Sequence, residues 1–320
     1  MKNIAVCAQF INESHRRQID ETAKKAGFSV SYFETQAALA AEIADFEVVY
    51  GYIPPALLPG AKQMRWLCSA SAGVDHYMDE SLWPDPDCLL TNSSGAYGTT
   101  ISEHIVMASL MLLRRMPEYL PVLGRHEWTS FSPIRSISGS HVVMLGTGDI
   151  GSHTARRMKA LGASVTGVCR SGKSSEPAFD RVLPIQDADS VLPTADLLIL
   201  ALPATRETAG ILSRERIGLL PPSAYVVNVG RGSAIDQDAL AEALRAGRLA
   251  GAALDVTVPE PLPADHPLWT CPNTILTPHI SGNMSLGLTC QLAVDLFCRD
   301  LERYARGEPL ARLVDRARGY

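Results

Sequence analysis

Gly146-Thr147-Gly148-Asp149-Ile150-Gly151 follows the apolar run His141–Leu145 and opens an amphipathic stretch, with about 140 residues ahead of it. Strand, glycine turn and helix in that order make the dinucleotide-binding βα unit. The first glycine permits the tight turn, the second lets backbone approach a pyrophosphate, and the third allows close helix–strand packing. The helix N-terminus then offers free N–H groups to the anion. In the simplest nucleotide-dependent dehydrogenases this turn follows the first strand. Its late position here predicts that the cofactor domain is inserted into another domain.

The preceding residues read as that other domain. Strands are expected near Ile4–Ala8, Ser29–Phe33, Glu47–Tyr50, Arg65–Ser69 and Cys88–Thr91, with helical patterns such as Glu13–Ala26 between the first few. A long helix is expected at about Thr100 to Met116, then Pro117 and Pro121 and a polar, aromatic arm to Ser140. A second series of strands follows at His141–Leu145, Ser164–Val168, Leu197–Leu200, Tyr225–Val229, Gly251–Asp255 and Thr274–Leu276. Helices over Gly148–Leu161 and Asp236–Ala246 fall among them, and a final helix runs from about Met284 to Arg306. This alternation predicts an α/β protein with parallel sheets. The expected domains are 1–97 with 284–320, completed by the returning helix, and 98–283.

A formal net charge of −5 offers no long-range attraction for nucleic acid or an anionic membrane. Seven scattered cysteines, without a C-x-x-C pair or metal-type spacing, favour reduced thiols over a disulfide framework. The longest apolar run, Ile105–Leu113, is about half of what a bilayer span needs. A cytoplasmic protein without a metal site is the expectation.

Three polar residues lie beyond the glycine turn. His279, in Thr277-Pro278-His279-Ile280-Ser281-Gly282, sits just past a strand end, where α/β sheets place ligands. A carboxylate against one imidazole nitrogen fixes the tautomer and favours the charged ring, so that the other nitrogen can donate a proton. Glu260 is a chemically suitable partner. Arg231 also follows a strand, and its flanking glycines, Gly230 and Gly232, would let a ligand approach its backbone; a guanidinium grips a carboxylate through two parallel bonds. An ordinary surface arginine in a turn would read the same way. Asp255 ends another strand and either holds a nicotinamide carboxamide or caps a loop. After the strand Arg65–Ser69, Ser71-Ala72-Gly73-Val74-Asp75 is either a carboxylate receptor made of backbone N–H groups or a plain βα turn. The remaining histidines are read as structural.

The strand after the glycine turn ends in Cys169-Arg170-Ser171-Gly172-Lys173, without the acidic residue that would bond a ribose 2′-hydroxyl. Arg170 and Ser171 suit a 2′-phosphate instead, the alternative being a solvated basic loop.

With these motifs in place the chain resembles the D-isomer-specific 2-hydroxyacid dehydrogenases over nearly its whole length. The resemblance rests on Ser71–Asp75, Ile101-Ser102-Glu103-His104, Gly146–Gly151 and Leu202-Pro203-Ala204-Thr205 with Thr208. It continues through Asn228–Gly232, Asp255-Val256, Glu260-Pro261-Leu262-Pro263, His266–Trp269 and Thr277–Gly282. It implies two Rossmann-like domains, the first discontinuous and flavodoxin-like, with the active site in the cleft between them. A homodimer formed largely through the cofactor domain and the arm around residues 100–140 is also implied. Arg231 would bind and polarise the substrate, Glu260 pair with the imidazole and His279 act as acid/base, with Ala72 and Gly73 supplying backbone contacts to substrate. Cofactor contacts would come from Gly146, Gly148, Asp149, Ile150, Gly151, Arg170, Ser171, Pro203, Thr208, Val229, Gly230, Arg231, Asp255, His279, Ser281 and Gly282.

Two positions depart from the family's usual pattern. Arg170-Ser171 stand where many members have Asp, which resembles the NADP-using glyoxylate/hydroxypyruvate reductases, and Tyr97 stands where many have Asn. The resulting expectation is reduction of a small 2-oxo acid to the (R)-2-hydroxy acid, with NADP(H) favoured over NAD(H). The alternatives are a phosphoglycerate-type or other NAD-using hydroxyacid dehydrogenase and, more remotely, a cofactor-sensing binding protein. Formate oxidation is disfavoured by Glu260, because relatives with that activity carry Gln before the histidine.

Overall fold

The computed structural model describes residues 2–320 and divides the chain into two compact units, Met1–Tyr97 with Met284–Tyr320 and Gly98–Asn283. In chain order the first contains β1 (Lys2–Cys7), α1 (Glu13–Ala26), β2 (Phe28–Tyr32), α2 (Gln36–Glu42), β3 (Val48–Gly51), β4 (Trp66–Ser69) and β5 (Leu89–Thr91). The second contains α3 (Gly98–Leu113), α4 (Met116–Gly124), β6 (His141–Leu145), α5 (Asp149–Ala160), β7 (Ser164–Cys169), β8 (Arg181–Pro184) and β9 (Leu197–Leu200). It continues with α6 (Arg214–Leu219), β10 (Tyr225–Asn228), α7 (Gln237–Arg245), β11 (Gly251–Leu254) and β12 (Thr274–Leu276). The last helix, α8 (Gly287–Ala305), belongs to the first unit.

Five parallel strands in the order β2-β1-β3-β4-β5 form the first sheet, the flavodoxin-like order. Its central strands are buried on both faces, which is why they read as unbroken apolar runs. α1 and α8 cover one face. Phe297 of α8 stacks on Tyr50 of β3 at 4.2 Å between ring centroids, and Gln18 donates to Asp295 at 2.8 Å. The tail beyond α8 is tied down as well. Arg312 pairs at 2.8 Å with the fully buried Asp300, and Val314 donates to the Leu90 carbonyl at the β5 edge.

The second sheet is parallel throughout, in the order β12-β11-β10-β9-β6-β7-β8. Strand order reverses between β6 and β9, the switch point at which such sheets open a crevice for ligands. β6 supplies the glycine turn there. The core packs residues such as Val143, Leu198, Val226 and Leu240.

Three expectations need correction. The long helix stops at Leu113 rather than continuing to Met116, and Arg115 in the left-handed region (φ 59°) makes the break. The segment expected as irregular arm begins instead with α4, which takes Pro117 in its first turn, where no N–H is required. Strand β8 went unread: four residues, Arg181 and Pro184 among them, leave too little apolar pattern for an edge strand to stand out.

Candidate active site

The three glycines of the β6–α5 turn do different work. Gly146 adopts φ +104°, and an added Cβ would sit 2.5 Å from the Ala201 carbonyl oxygen beyond β9. At Gly151 a Cβ would meet the Gly146 carbonyl oxygen at 2.0 Å, so helix and turn could not close. Gly148 differs, since nothing lies within 4 Å of where its Cβ would be. It is the N-cap of α5 and has no side chain to satisfy the first-turn amides of Asp149, Ile150 and Gly151. Two glycines thus serve the protein's own packing, and the third leaves open space in front of unpaired donors. That cradle fits a pyrophosphate.

At the end of β7, Ser171 Oγ bonds both the N–H and the carbonyl of Lys173 at 3.3 Å, tightening the loop that leaves Arg170 exposed. Sequence reading gave Cys169 no role. Burial works to raise its pKa, but hydrogen bonds from Thr147, Ser171 and the loop backbone outweigh that and hold the thiol below its usual range. After β9, Thr208 Oγ1 donates to the Pro203 carbonyl at 2.6 Å and accepts from the Thr205 N–H at 2.9 Å, closing the loop on itself.

Beyond β10, Val229 still donates to the Leu200 carbonyl, and the chain then turns at Gly230 and Arg231. The buried Asn228 shapes this turn, accepting from the Gly230 N–H at 3.1 Å and donating to the Arg231 carbonyl at 2.9 Å. The glycines around Arg231 are needed for a reason other than the one expected. A Cβ on Gly230 would lie 2.7 Å from Leu202 backbone, and one on Gly232 would lie 2.2 Å from Thr257 backbone. Protein backbone fills the space that a side chain would need at either position.

Asp255 follows β11 and is 2% exposed. Its carboxylate accepts from Thr277 Oγ1 at 2.6 Å and from the N–H groups of Ile280 and Ser281 at 2.9 Å each; its carbonyl accepts the His279 N–H at 2.8 Å. Burial alone would raise its pKa, yet the bonds from Ser281, Thr277 and Ile280 prevail and hold it below the ordinary carboxylate value. One buried anion therefore clasps both sides of His279, whose own φ is 52°. Of the two readings open for Asp255, its bonds within the protein are those of a loop cap. His104 of α3 stands behind this clasp, Nε2 3.5 Å from Thr277 Oγ1, and burial lowers its pKa.

Glu260 and His279 come together as expected, with Oε2 at 2.9 Å from Nδ1. The other carboxylate oxygen, Oε1, accepts the Thr257 N–H at 3.1 Å. Gln237, which sequence reading missed, brackets Val258 from both sides, accepting its N–H at 2.8 Å and donating to its carbonyl at 2.6 Å. The imidazole is 49% exposed, so a ring already paired at Nδ1 keeps Nε2 for a ligand. Ser281 is buried beneath the loop and Gly282 follows it half-buried.

In the five-stranded unit, the turn after β4 carries Ala72 and Gly73, both half-buried. Their N–H groups meet no acceptor among the described residues, whereas the Ser71 N–H bonds Ser69 Oγ at 3.2 Å. Adjacent unpaired amides of this kind form a receptor for an anion.

Comparison with known proteins agrees with this geometry. Residues 106–281 match the family model for the NAD binding domain of D-isomer specific 2-hydroxyacid dehydrogenases. Glyoxylate/hydroxypyruvate reductase A of Salmonella newport is 30% identical over 283 residues, covering 87% of this chain and 88% of that protein. A D-isomer specific 2-hydroxyacid dehydrogenase family protein from Aeromonas salmonicida superimposes with a TM-score of 0.84 at 34% identity, covering 98% of this chain and 99% of the other. An NADPH-dependent glyoxylate/hydroxypyruvate reductase from Sinorhizobium meliloti, solved with NADP and sulfate, gives 0.83 at 26% identity over the full length of both chains. This chain belongs to the D-isomer specific 2-hydroxyacid dehydrogenase family and is an oxidoreductase with an NAD(P)-binding Rossmann unit.

Proposed function

We propose that this protein reduces small 2-oxo acids of the glyoxylate/hydroxypyruvate class to (R)-2-hydroxy acids, with NADPH preferred over NADH. The observation that carries the reading is the His279 Nδ1–Glu260 Oε2 contact of 2.9 Å on a half-exposed ring. It leaves one imidazole nitrogen to deliver a proton to a keto oxygen, while the carboxylate fixes the tautomer and orientation of the ring. The bound nicotinamide supplies the hydride that the carbonyl carbon accepts. Arg231 binds the substrate carboxylate and withdraws charge from the keto oxygen, and Ala72 and Gly73 offer two further N–H donors to a carboxylate.

The glycine turn and the amides of Asp149, Ile150 and Gly151 take the pyrophosphate. Pro203, Thr208, Val229, Gly230, Ser281 and Gly282 supply the remaining cofactor contacts, and Asp255 holds the loop that carries the last two. Arg170 and Ser171 take the 2′-phosphate, a reading supported by the exposed guanidinium and by the NADPH-dependent relative from Sinorhizobium meliloti. No helix is long and apolar enough to cross a membrane, and seven free thiols suit a reducing cytoplasm. Exposed apolar side chains on α3, α4 and the arm, including Leu120, Leu123 and Trp128, support a homodimer through that face.

The test is kcat/KM for glyoxylate, hydroxypyruvate and pyruvate with each nucleotide, with chiral analysis of the product. Turnover of glyoxylate or hydroxypyruvate with NADPH to the (R) product, where the product is chiral, is expected. Nucleotide binding without turnover of any 2-oxo acid would overturn the reading in favour of a cofactor-sensing protein.

A further inference from the structure

Carbonyls of the turn Ser69–Gly73 are held by residues 92–97, which follow β5. Ser93 Oγ donates to the Ser69 carbonyl at 2.9 Å, and Tyr97 Oη to the Ala70 carbonyl at 2.7 Å. The Ser93 N–H donates to the Ser71 carbonyl at 3.0 Å, and Asn92 Nδ2 to the Ala72 carbonyl at 3.0 Å. Four consecutive carbonyls are therefore drawn to one segment. Within a trans peptide unit the carbonyl of one residue and the N–H of the next point in opposite directions. Pulling the Ser71 and Ala72 carbonyls toward Asn92 and Ser93 aims the Ala72 and Gly73 N–H groups the other way. Those are the two amides that meet no acceptor.

Asn92 is itself fixed. Its Oδ1 accepts from the Ser94 N–H at 3.1 Å, and its carbonyl accepts from Arg312 Nε at 3.0 Å. Arg312 in turn pairs with buried Asp300. Tyr97 is 5% exposed, with its proton committed to Ala70, and Tyr52 Oη lies 3.5 Å from its own Oη. A phenol so engaged does not meet a ligand directly. It sets the peptide immediately before the receptor.

We propose that Asn92 and Tyr97 are positioning residues that aim the Ala72 and Gly73 amides as a preformed receptor for the carboxylate of the 2-oxo acid. This rests on the proposed function. Asn92 orients the Gly73 amide directly, whereas Tyr97 acts two peptides further back, so Asn92 carries the larger effect.

The experiment uses the full-length enzyme and measures three quantities for Asn92→Ala and Tyr97→Phe: KM for glyoxylate, kcat, and Ki for oxalate, a carboxylate that cannot be reduced. Losing one neutral positioning hydrogen bond corresponds to about a 3- to 10-fold change. KM and Ki should rise together by that factor in Asn92→Ala and by less in Tyr97→Phe. NADPH KM and kcat should stay within about twofold, and Tyr52→Phe should leave all of them unchanged. A structural defect alone would lower kcat or active enzyme concentration without moving Ki. Unchanged KM and Ki in both variants overturns the proposal, as does an equal fall in kcat with a shift in NADPH KM. Should Asn92→Ala fail to fold, Asn92→Ser and Tyr97→Phe decide the matter by the same readouts. If the wild type reduces no 2-oxo acid, the functional reading has failed, and oxalate binding by calorimetry still tests the receptor separately.

Discussion

Asp255→Asn probes the clasp that holds His279 and has a signature in both stability and catalysis. The carboxylate takes three donors, Thr277 Oγ1, Ile280 N and Ser281 N. An asparagine keeps one acceptor oxygen. Placed at Oδ1 it retains Thr277 and Ile280, but its NH₂ then faces the Ser281 N–H, and Ser281 is 3% exposed. Leaving that buried donor unpaired costs about 1–3 kcal/mol. Losing the negative charge weakens the two surviving bonds to roughly half, adding about 1–2 kcal/mol. A total of about 2–5 kcal/mol follows at pH 7, because the wild-type carboxylate is ionised there.

The pH dependence fixes the cause. Asp255 has a folded-state pKa held below its ordinary value of 3.8 by these bonds. Its contribution is therefore complete above the unfolded value and is lost only as pH falls through the folded one. Urea denaturation of both proteins between pH 7 and pH 3 should give a constant gap down to about pH 4 and a closing gap below it. At neutral pH kcat should fall by a larger factor than KM for NADPH rises, because the His279 loop loses its anchor while the β6–α5 turn keeps its geometry. A gap that persists unchanged to pH 3, or a variant as stable as the wild type, would refute the clasp.

Four further outcomes are expected. His279→Ala should lose roughly 10²- to 10⁴-fold in kcat with NADPH affinity retained, read by steady-state kinetics and fluorescence titration. Arg231→Lys should lose in both kcat and KM for the oxo acid, because a point charge cannot reproduce a two-pronged contact; near-native kcat/KM would reduce Arg231 to an electrostatic attractant. Arg170→Asp should shift the NADPH/NADH ratio of kcat/KM toward NADH by about 10-fold or more, and an unmoved ratio would make the segment a solvated loop. Gly148→Ala should fold like the wild type but bind dinucleotide poorly, whereas Gly151→Ala should also lower the melting temperature, since its Cβ would meet backbone at 2.0 Å.

What could be read from the sequence was whatever leaves a local trace. The strand–glycine–helix turn, the strand-end placement of Arg231 and His279 and the parallel order of elements depend on neighbours a few residues apart. β8 left no such trace, being short and carrying an arginine and a proline. The helix over Met116–Gly124 was hidden by two prolines, one of which merely opens it. Side-chain amides that shape loops were missed for another reason. Asn92 reaches Ala72, and Gln237 reaches Val258, across about twenty residues with no pattern linking donor to acceptor. Asp255 was visible as a strand-end acid, yet its three donors lie more than twenty residues on.

The glycines show how the right residue can be chosen for an incomplete reason. Small residues at Gly230 and Gly232 were expected to admit a ligand, but a Cβ at either would collide with Leu202 or Thr257 backbone. Among the glycines of these two turns, Gly146, Gly148, Gly151, Gly230 and Gly232, only Gly148 faces open space. Ligand-facing and backbone-facing glycines look alike in a sequence, because absence of a side chain serves both. They separate in a structure, where the neighbour that would be struck can be named. The same distinction orders the polar residues. The side chains of His279 and Arg170 are exposed and the Ala72 and Gly73 amides meet no acceptor among the described residues, while Asn228, Gln237, Asn92 and Tyr97 bond backbone. Residues of the second kind fix where those of the first kind point, so a substitution among them should alter affinity or rate without removing any group that touches substrate.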